Sequence, residues 1–213
     1  MPVQFQAFTS KRTTWASHLK RDDDAGNALR SIFGDYDEVT LSRGDLKNLA
    51  KRPNLSEFVI ATIIWGYPRG MRGNHFRNLT CELATLTRLL VDAKSQPIIN
   101  WYRHYNNIRP ISGIGLSTYT KFLNFLSCQV NGYPALILDD RIIRVANQEI
   151  FEDLNQFQKL KYENAACSYP EYLKCIYHVA TELGVSSEHV EFFLFEFGLN
   201  LKTPFANQTE ISV

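Results

Sequence analysis

Two glycines flanking one apolar residue, and a pair of aspartates further along, are the residues of this chain best suited to chemistry. Gly113-Ile114-Gly115 stands in a turn punctuated by Pro110 and Ser112. From Leu116 on, apolar residues recur at Tyr119, Phe122, Leu123, Leu126 and Val130, the spacing of one helix face. Glycines at a helix start let the backbone approach a ligand closely. The unpaired N–H groups of the first turn, together with the helix dipole, then favour an anion such as phosphate. Downstream, Ala135 to Leu138 is apolar and extended and brings Asp139 and Asp140 back toward the turn. A helix is expected from about Arg141 to Leu154, so either carboxylate sits where the positive dipole end favours its anion. The commonest role of such an aspartate is a helix cap; the alternative is a reactive carboxylate.

Ile108, Ile111 and Gly113-Ile114-Gly115 together resemble the helix-hairpin-helix DNA-binding element. Leu138-Asp139-Asp140-Arg141-Ile142-Ile143-Arg144-Val145-Ala146-Asn147 is similar to the Val-Asp-Thr-His-Ile-x-Arg-Val-x-Asn run of endonuclease III-superfamily DNA glycosylases, the helix-hairpin-helix/Gly-Pro-Asp glycosylases. With Trp65-Gly66-Tyr67-Pro68-Arg69-Gly70 added, the chain most resembles the bacterial 8-oxoguanine DNA glycosylase-like group. The likeness covers roughly residues 57 to 150. It implies an all-α fold of two helical lobes, with a helix-hairpin-helix element and an interlobe cleft. It also implies an enzyme that flips a damaged or modified base out of duplex DNA and hydrolyses its N-glycosidic bond. A non-catalytic helix-hairpin-helix DNA-binding or phage-defence module is the competing expectation.

Breaking an N-glycosidic bond builds positive charge on the sugar, which a nearby carboxylate can stabilise while it orients or deprotonates water. The resemblance favours Asp139 for this role, with Asp140 as runner-up. Bifunctional relatives carry a lysine two places after the second hairpin glycine, and its amine attacks the sugar. Ser117 stands there. The resemblance therefore implies a monofunctional glycosylase, although Lys121, one helical turn later on the same side, leaves room for weak lyase activity. The expected DNA contacts are Ile111, Gly113, Ile114, Gly115, Leu116 and Ser117 of the hairpin, with Tyr67 as a ring inserted into the base stack and Arg69 and Arg72 on phosphates. A half-buried tyrosine in a Gly/Pro loop is the alternative for Tyr67. Tyr119 replaces the small residue usual in the hairpin pattern and is expected to thicken the packing between its helices. The base pocket is expected among Trp65, Phe76, Trp101, Phe193 and Phe197. An oxidised purine is the expected base; an alkylated or phage-type modified base remains an alternative.

Several elements must position these groups. Ser10 to Phe33 reads as one or two helices, and Ser42 caps a short one ending near Pro53. Phe58 to Trp65 is apolar all round, which predicts a buried central helix. Asn74 to Asp92 reads as one helix, and Ser95-Gln96-Pro97 as the start of the next. Phe151 to Glu163 reads as a loose polar connection. Ser168 and Pro170 are expected to open a helix closed by Gly184. Ser186 or Ser187 then opens a last helix through Phe197, ended by Gly198. The expected organisation is an N-terminal helical lobe over 1–55, joined by C-terminal helices over 165–213, around a glycosylase core over 56–160. Pro204 to Val213 reads as a tail.

At 213 residues and 45% apolar content the chain can bury a core. Its net charge of +1 means that DNA binding must rest on a local patch. None of the four cysteines, Cys81, Cys128, Cys167 and Cys175, forms a Cys-x-x-Cys pair, so no iron–sulfur cluster is expected. Asp22-Asp23-Asp24 near His18 reads as a solvated helix start rather than a metal site. The expected cofactor set is empty, save for a monovalent cation at the hairpin. The first thirty or so residues lack a signal-peptide pattern, and no apolar run is long enough to span a membrane. A cytoplasmic monomer, nucleoid-associated through duplex DNA, is expected.

Overall fold

The computed structural model describes residues 2–18 and 23–201. The fold is all-α, with two short antiparallel strand pairs among the described residues. The chain divides into two compact units, Met1–Ile137 and Leu138–Val213.

The first unit is built around α4, Ser56–Gly66, whose residues Phe58 to Trp65 are all buried. That follows from a sequence with no polar face. Around α4 pack α2 (Asp24–Phe33), α3 (Arg43–Leu49), α6 (Leu83–Ser95) and α8 (Leu116–Phe125). Trp65 lies edge-on between Phe8 and Phe125, with ring centroids 5.1 and 5.2 Å away. Trp15, in α1 (Thr13–Ala16), meets Phe76 at 4.7 Å and donates to Ser10 Oγ at 2.9 Å. The third tryptophan, Trp101, is fully buried as well.

Several sequence expectations need correction here. The segment from Ser10, read as the start of a helix, instead begins within β1 (Ala7–Lys11), paired antiparallel with β2 (Glu38–Ser42) from Ala7↔Ser42 to Lys11↔Glu38. The Asn74–Asp92 helix is two helices, α5 (His75–Cys81) and α6, broken at Glu82, which has φ −104° and ψ 12°. The next helix, α7, starts at Trp101 (Trp101–Ile108), where the Asn100 side chain accepts from Arg103 N. Ile99, just before it, is extended, because it bridges Val130. Val130 lies in a two-residue strand, β3 (Gln129–Val130), that turns back as β4 (Tyr133–Pro134). Ser42 does cap α3, in a reciprocal capping box with Asp45.

In the second unit, α9 (Asp140–Ala146) is shorter than expected. Glu149 adopts φ +56°, which ends any helical continuation. Asn147 Nδ2 instead donates to Ile143 O at 2.7 Å and Leu160 O at 2.8 Å. The supposed loose connection is anchored: Leu154, Phe157 and Leu160 are buried around a 3₁₀ segment, Glu152–Phe157. The following helix, α10 (Ala165–Glu182), begins about one turn before Ser168 and holds Pro170 inside it. The last helix, α11, spans Ser187–Phe197. Gly198 follows at φ −52°, so it is not a left-handed terminator. A Cβ there would stand 2.7 Å from Val145 Cγ2, and close packing on α9 is what calls for the glycine. Leu19 and Asp22, and the Pro204–Val213 tail, lie outside the described residues.

Candidate functional site

The Gly113-Ile114-Gly115 turn joins α7 to α8, so the two helices flank the glycines as the residue spacing implies. Gly113 has φ +91°, and a Cβ on it would lie 2.4 Å from His75 O. Only glycine meets both conditions. Asn78 Nδ2 donates to Ser112 Oγ at 3.1 Å, so the turn is seated on α5 through two contacts. Gly115 is extended, and no side chain caps α8. The first-turn N–H groups of α8 therefore lack the usual side-chain acceptor. Ile111 and Leu116 have buried side chains, which leaves their backbones as the available groups.

Tyr119 fills the space between the two helices. It is fully buried, its ring 5.9 Å from Trp101 and 6.2 Å from His104, and its hydroxyl is 2.5 Å from His104 Nδ1. Burial pushes the Tyr119 phenol up. Burial lowers His104 below its usual 6.5, against the pull of Asp92, whose Oδ2 is 3.5 Å from Nε2.

Ser117 and Lys121 meet on α8. Lys121 is only 5% exposed. Its Nζ donates to Ser117 Oγ at 2.6 Å and to Ser117 O at 3.3 Å. No carboxylate among the described residues pairs with it. Its stem crosses Gly66 at the end of α4, where a Cβ would stand 3.2 Å from Cδ. The next residue, Tyr67, is half-buried and shares a 2.8 Å hydrogen bond with Thr118 Oγ1. A ring inserted into DNA would have to give up this bond. Arg69 and Arg72 are exposed on the following loop.

In the second unit, Asp139 and Asp140 have different surroundings. Asp139 is the N-cap of α9 and half-buried, and its Oδ1 accepts from Arg141 N at 3.0 Å and Ile142 N at 3.1 Å. Its Oδ2 takes no hydrogen bond from a described residue. Asp140 is exposed and paired with Arg144 one turn on, at 3.1 Å. The Arg141 guanidinium stands 4.9 Å over the Phe195 ring and donates to Glu196 O at 3.2 Å, while its buried Nε has no partner among the described residues. Sequence reasoning passed over Arg141, although its place two residues after Asp139 is a signal. It also passed over fully buried Glu191 on α11, whose charge, with that of Asp139, adds to the burial that pushes the Tyr172 phenol up.

Trp65, Phe76 and Trp101 are core residues of the first unit. Phe193 and Phe197 remain exposed, with centroids 5.6 Å apart, and Phe151 lies 6.4 Å from Phe193. Asp23 caps α2 by accepting from Gly26 N. Among the described residues no group of three or more His, Cys, Asp or Glu side chains is arranged to hold a metal ion. All four cysteines are free thiols. No described helix is long and apolar enough to cross a membrane.

Compared with known families, residues 1–195 match the model described as "Putative 8-oxoguanine DNA glycosylase OGG-like protein". No curated protein and no solved structure matches the chain.

Proposed function

The chain belongs to the 8-oxoguanine DNA glycosylase OGG-like family, and from that premise we propose that it excises a damaged base, an oxidised purine, from duplex DNA by hydrolysis. The observation that carries the reading is the division of labour within the Asp139 carboxylate. Two backbone N–H groups hold Oδ1, and Oδ2 is left without a donor among the described residues. A carboxylate anchored at one oxygen keeps its orientation, and the other oxygen can face a sugar or a water. Asp140, committed to Arg144 at the surface, is the weaker candidate.

In this reaction the base is flipped from the duplex and the bond from its ring nitrogen to C1′ breaks, the electron pair leaving with the base. Asp139 stabilises the cationic sugar and takes the proton of the water that adds to C1′. Ser117 stands where an amine nucleophile would be, so water attacks and an abasic site results. The hairpin backbone from Ile111 to Ser117 and the side chains of Arg69 and Arg72 bind phosphates, and Tyr67 fills the gap left by the base. The reaction needs no cofactor, and a monovalent cation at the hairpin would assist phosphate binding.

Strand scission tests the proposal. Wild type and Asp139→Asn are incubated with labelled duplexes carrying 8-oxoguanine, uracil, alkylpurines or modified cytosines, and products are scored with and without alkali. Base release from the 8-oxoguanine duplex is expected, read chiefly as alkali-dependent cleavage and reduced by roughly 10²- to 10⁴-fold in Asp139→Asn. Cleavage of another lesion instead would replace the oxidised purine with that base. Duplex binding without cleavage of any lesion would leave a non-catalytic DNA-binding module.

A further inference from the structure

The arginines of this chain fall into two groups. Arg12, Arg30, Arg43, Arg52, Arg141 and Arg144 are each engaged, by Tyr36 O, Asn27, Gln6 Oε1, Glu57, Glu196 O and Asp140 respectively. Arg69, Arg72, Arg77, Arg88, Arg103 and Arg109 are exposed, and among the described residues none of their guanidinium groups has a hydrogen bond, an ion pair or an aromatic face. Carboxylates avoid the same part of the chain. No Asp or Glu occurs between Glu57 and Glu82 or between Asp92 and Asp139, and these are the two longest acid-free stretches of the sequence. With a net charge of only +1 overall, the molecule thus gathers its unneutralised positive charge in one region. Two elements of that region meet the glycine turn. α5 seats it, with Asn78 Nδ2 on Ser112 Oγ at 3.1 Å and His75 O against Gly113. Arg77 is the neighbour of Asn78 on α5, and Arg109 is the C-cap of α7, just ahead of the turn.

We propose that α5 and the end of α7 widen the hairpin into a larger phosphate-binding face for duplex DNA, with Arg77 and Arg109 as contacts, one from each element. A guanidinium presents a fork of donors that matches two phosphate oxygens, and a free one gives up no protein partner when it binds. The hairpin amides reach only the phosphates that approach the backbone closely, whereas a long arginine side chain reaches beyond them. Contacts of this kind release counterions and are blind to base sequence and to the lesion. They fix the duplex on the protein before a base is flipped, so they act on binding and not on bond breaking. The inference rests on the duplex-DNA reading above, and it adds contacts outside Ile111–Ser117, Arg69 and Arg72.

The test is binding of full-length protein to a short, undamaged, fluorescein-labelled duplex, followed by anisotropy over a series of sodium chloride concentrations. Arg77→Ala and Arg109→Ala are each expected to make the plot of log affinity against log salt shallower by about 1, and to weaken binding by roughly three- to tenfold at about 0.1 M salt. Arg30→Ala, which removes an arginine engaged by Asn27 on α2, is expected to bind as wild type does. Arg77→Gln and Arg109→Gln repeat the loss of charge with most of the stem kept, so a misfolded alanine variant does not blunt the test. Unchanged slopes in the Arg77 and Arg109 variants would overturn the assignment, as would an equal loss in Arg30→Ala or a wild type that does not bind duplex. Base release is scored separately on the lesion panel. The expected slopes with no lesion cleaved would sink the glycosylase reading and leave this one standing; cleavage with unchanged slopes would do the reverse.

Discussion

Lys121 in the first unit and Asp139 in the second carry opposite charges and are supported in opposite ways. Asp139 draws its support from the backbone of its own helix, through the Arg141 and Ile142 N–H groups. Such a cap is local, and it stabilises the helix it begins. Lys121 is buried on α8 against Gly66 of α4, and among the described residues its amine donates to the Ser117 hydroxyl and carbonyl oxygens. One charge contributes to the fold that holds it; the other is tolerated by its fold. The second arrangement is the better mark of a chemical role, because packing alone has no use for it.

That contrast can be broken from several sides. The largest effect should come from Gly113→Ala, because the hairpin that presents Lys121 rests on a contact with backbone. A Cβ 2.4 Å from His75 O at φ +91° should cost roughly 3 kcal/mol in urea unfolding. A loss well under 1 kcal/mol would mean that the turn is not pinned to α5. Next, Asp139→Ala and Lys121→Met should differ in sign. The first should lose about 1 kcal/mol with its cap, and the second should gain roughly 1 kcal/mol by removing an uncompensated charge. Equal destabilisation in both would show that the Lys121 amine is as structural as the cap.

The smallest effect concerns pH. Burial holds His104 below its usual 6.5, so the unfolded chain takes up the proton first. The stability this contributes is fully present above about pH 6.5 and declines as pH falls toward the lower folded value. His104→Gln should flatten that decline in denaturant titrations across the window. An unchanged slope would show that protonation of His104 does not load the Tyr119 contact between the hairpin helices.

What the sequence made legible was local. The all-apolar run at Phe58 to Trp65, the stripe after Leu116, the Ser42 cap and the Asp139 position each depend on neighbours within a turn or two. The misread parts depend on distant partners. β1 and β2 are short, largely exposed strands that pair across the whole of the intervening segment 12–37. Ile99 is extended because Val130 lies beside it, and Gly198 is small because Val145 does. Gly113 was placed in the right turn, but its contact with His75 has no local signal. Likewise the spacing put Lys121 on the same side as Ser117, whereas its burial comes from packing.

The placement of the indoles gives the molecule a built-in optical label. Trp15, Trp65 and Trp101 are all the tryptophans of the chain, all are buried, and all belong to Met1–Ile137. Intrinsic fluorescence excited at the red edge of indole absorption therefore reports on the first unit, whereas far-ultraviolet dichroism also sees α9, α10 and α11. Coincident melting curves from the two signals would mark a single cooperative transition. A dichroic change with unaltered emission would mean that the part carrying Asp139 unravels while the part carrying Lys121 is still folded.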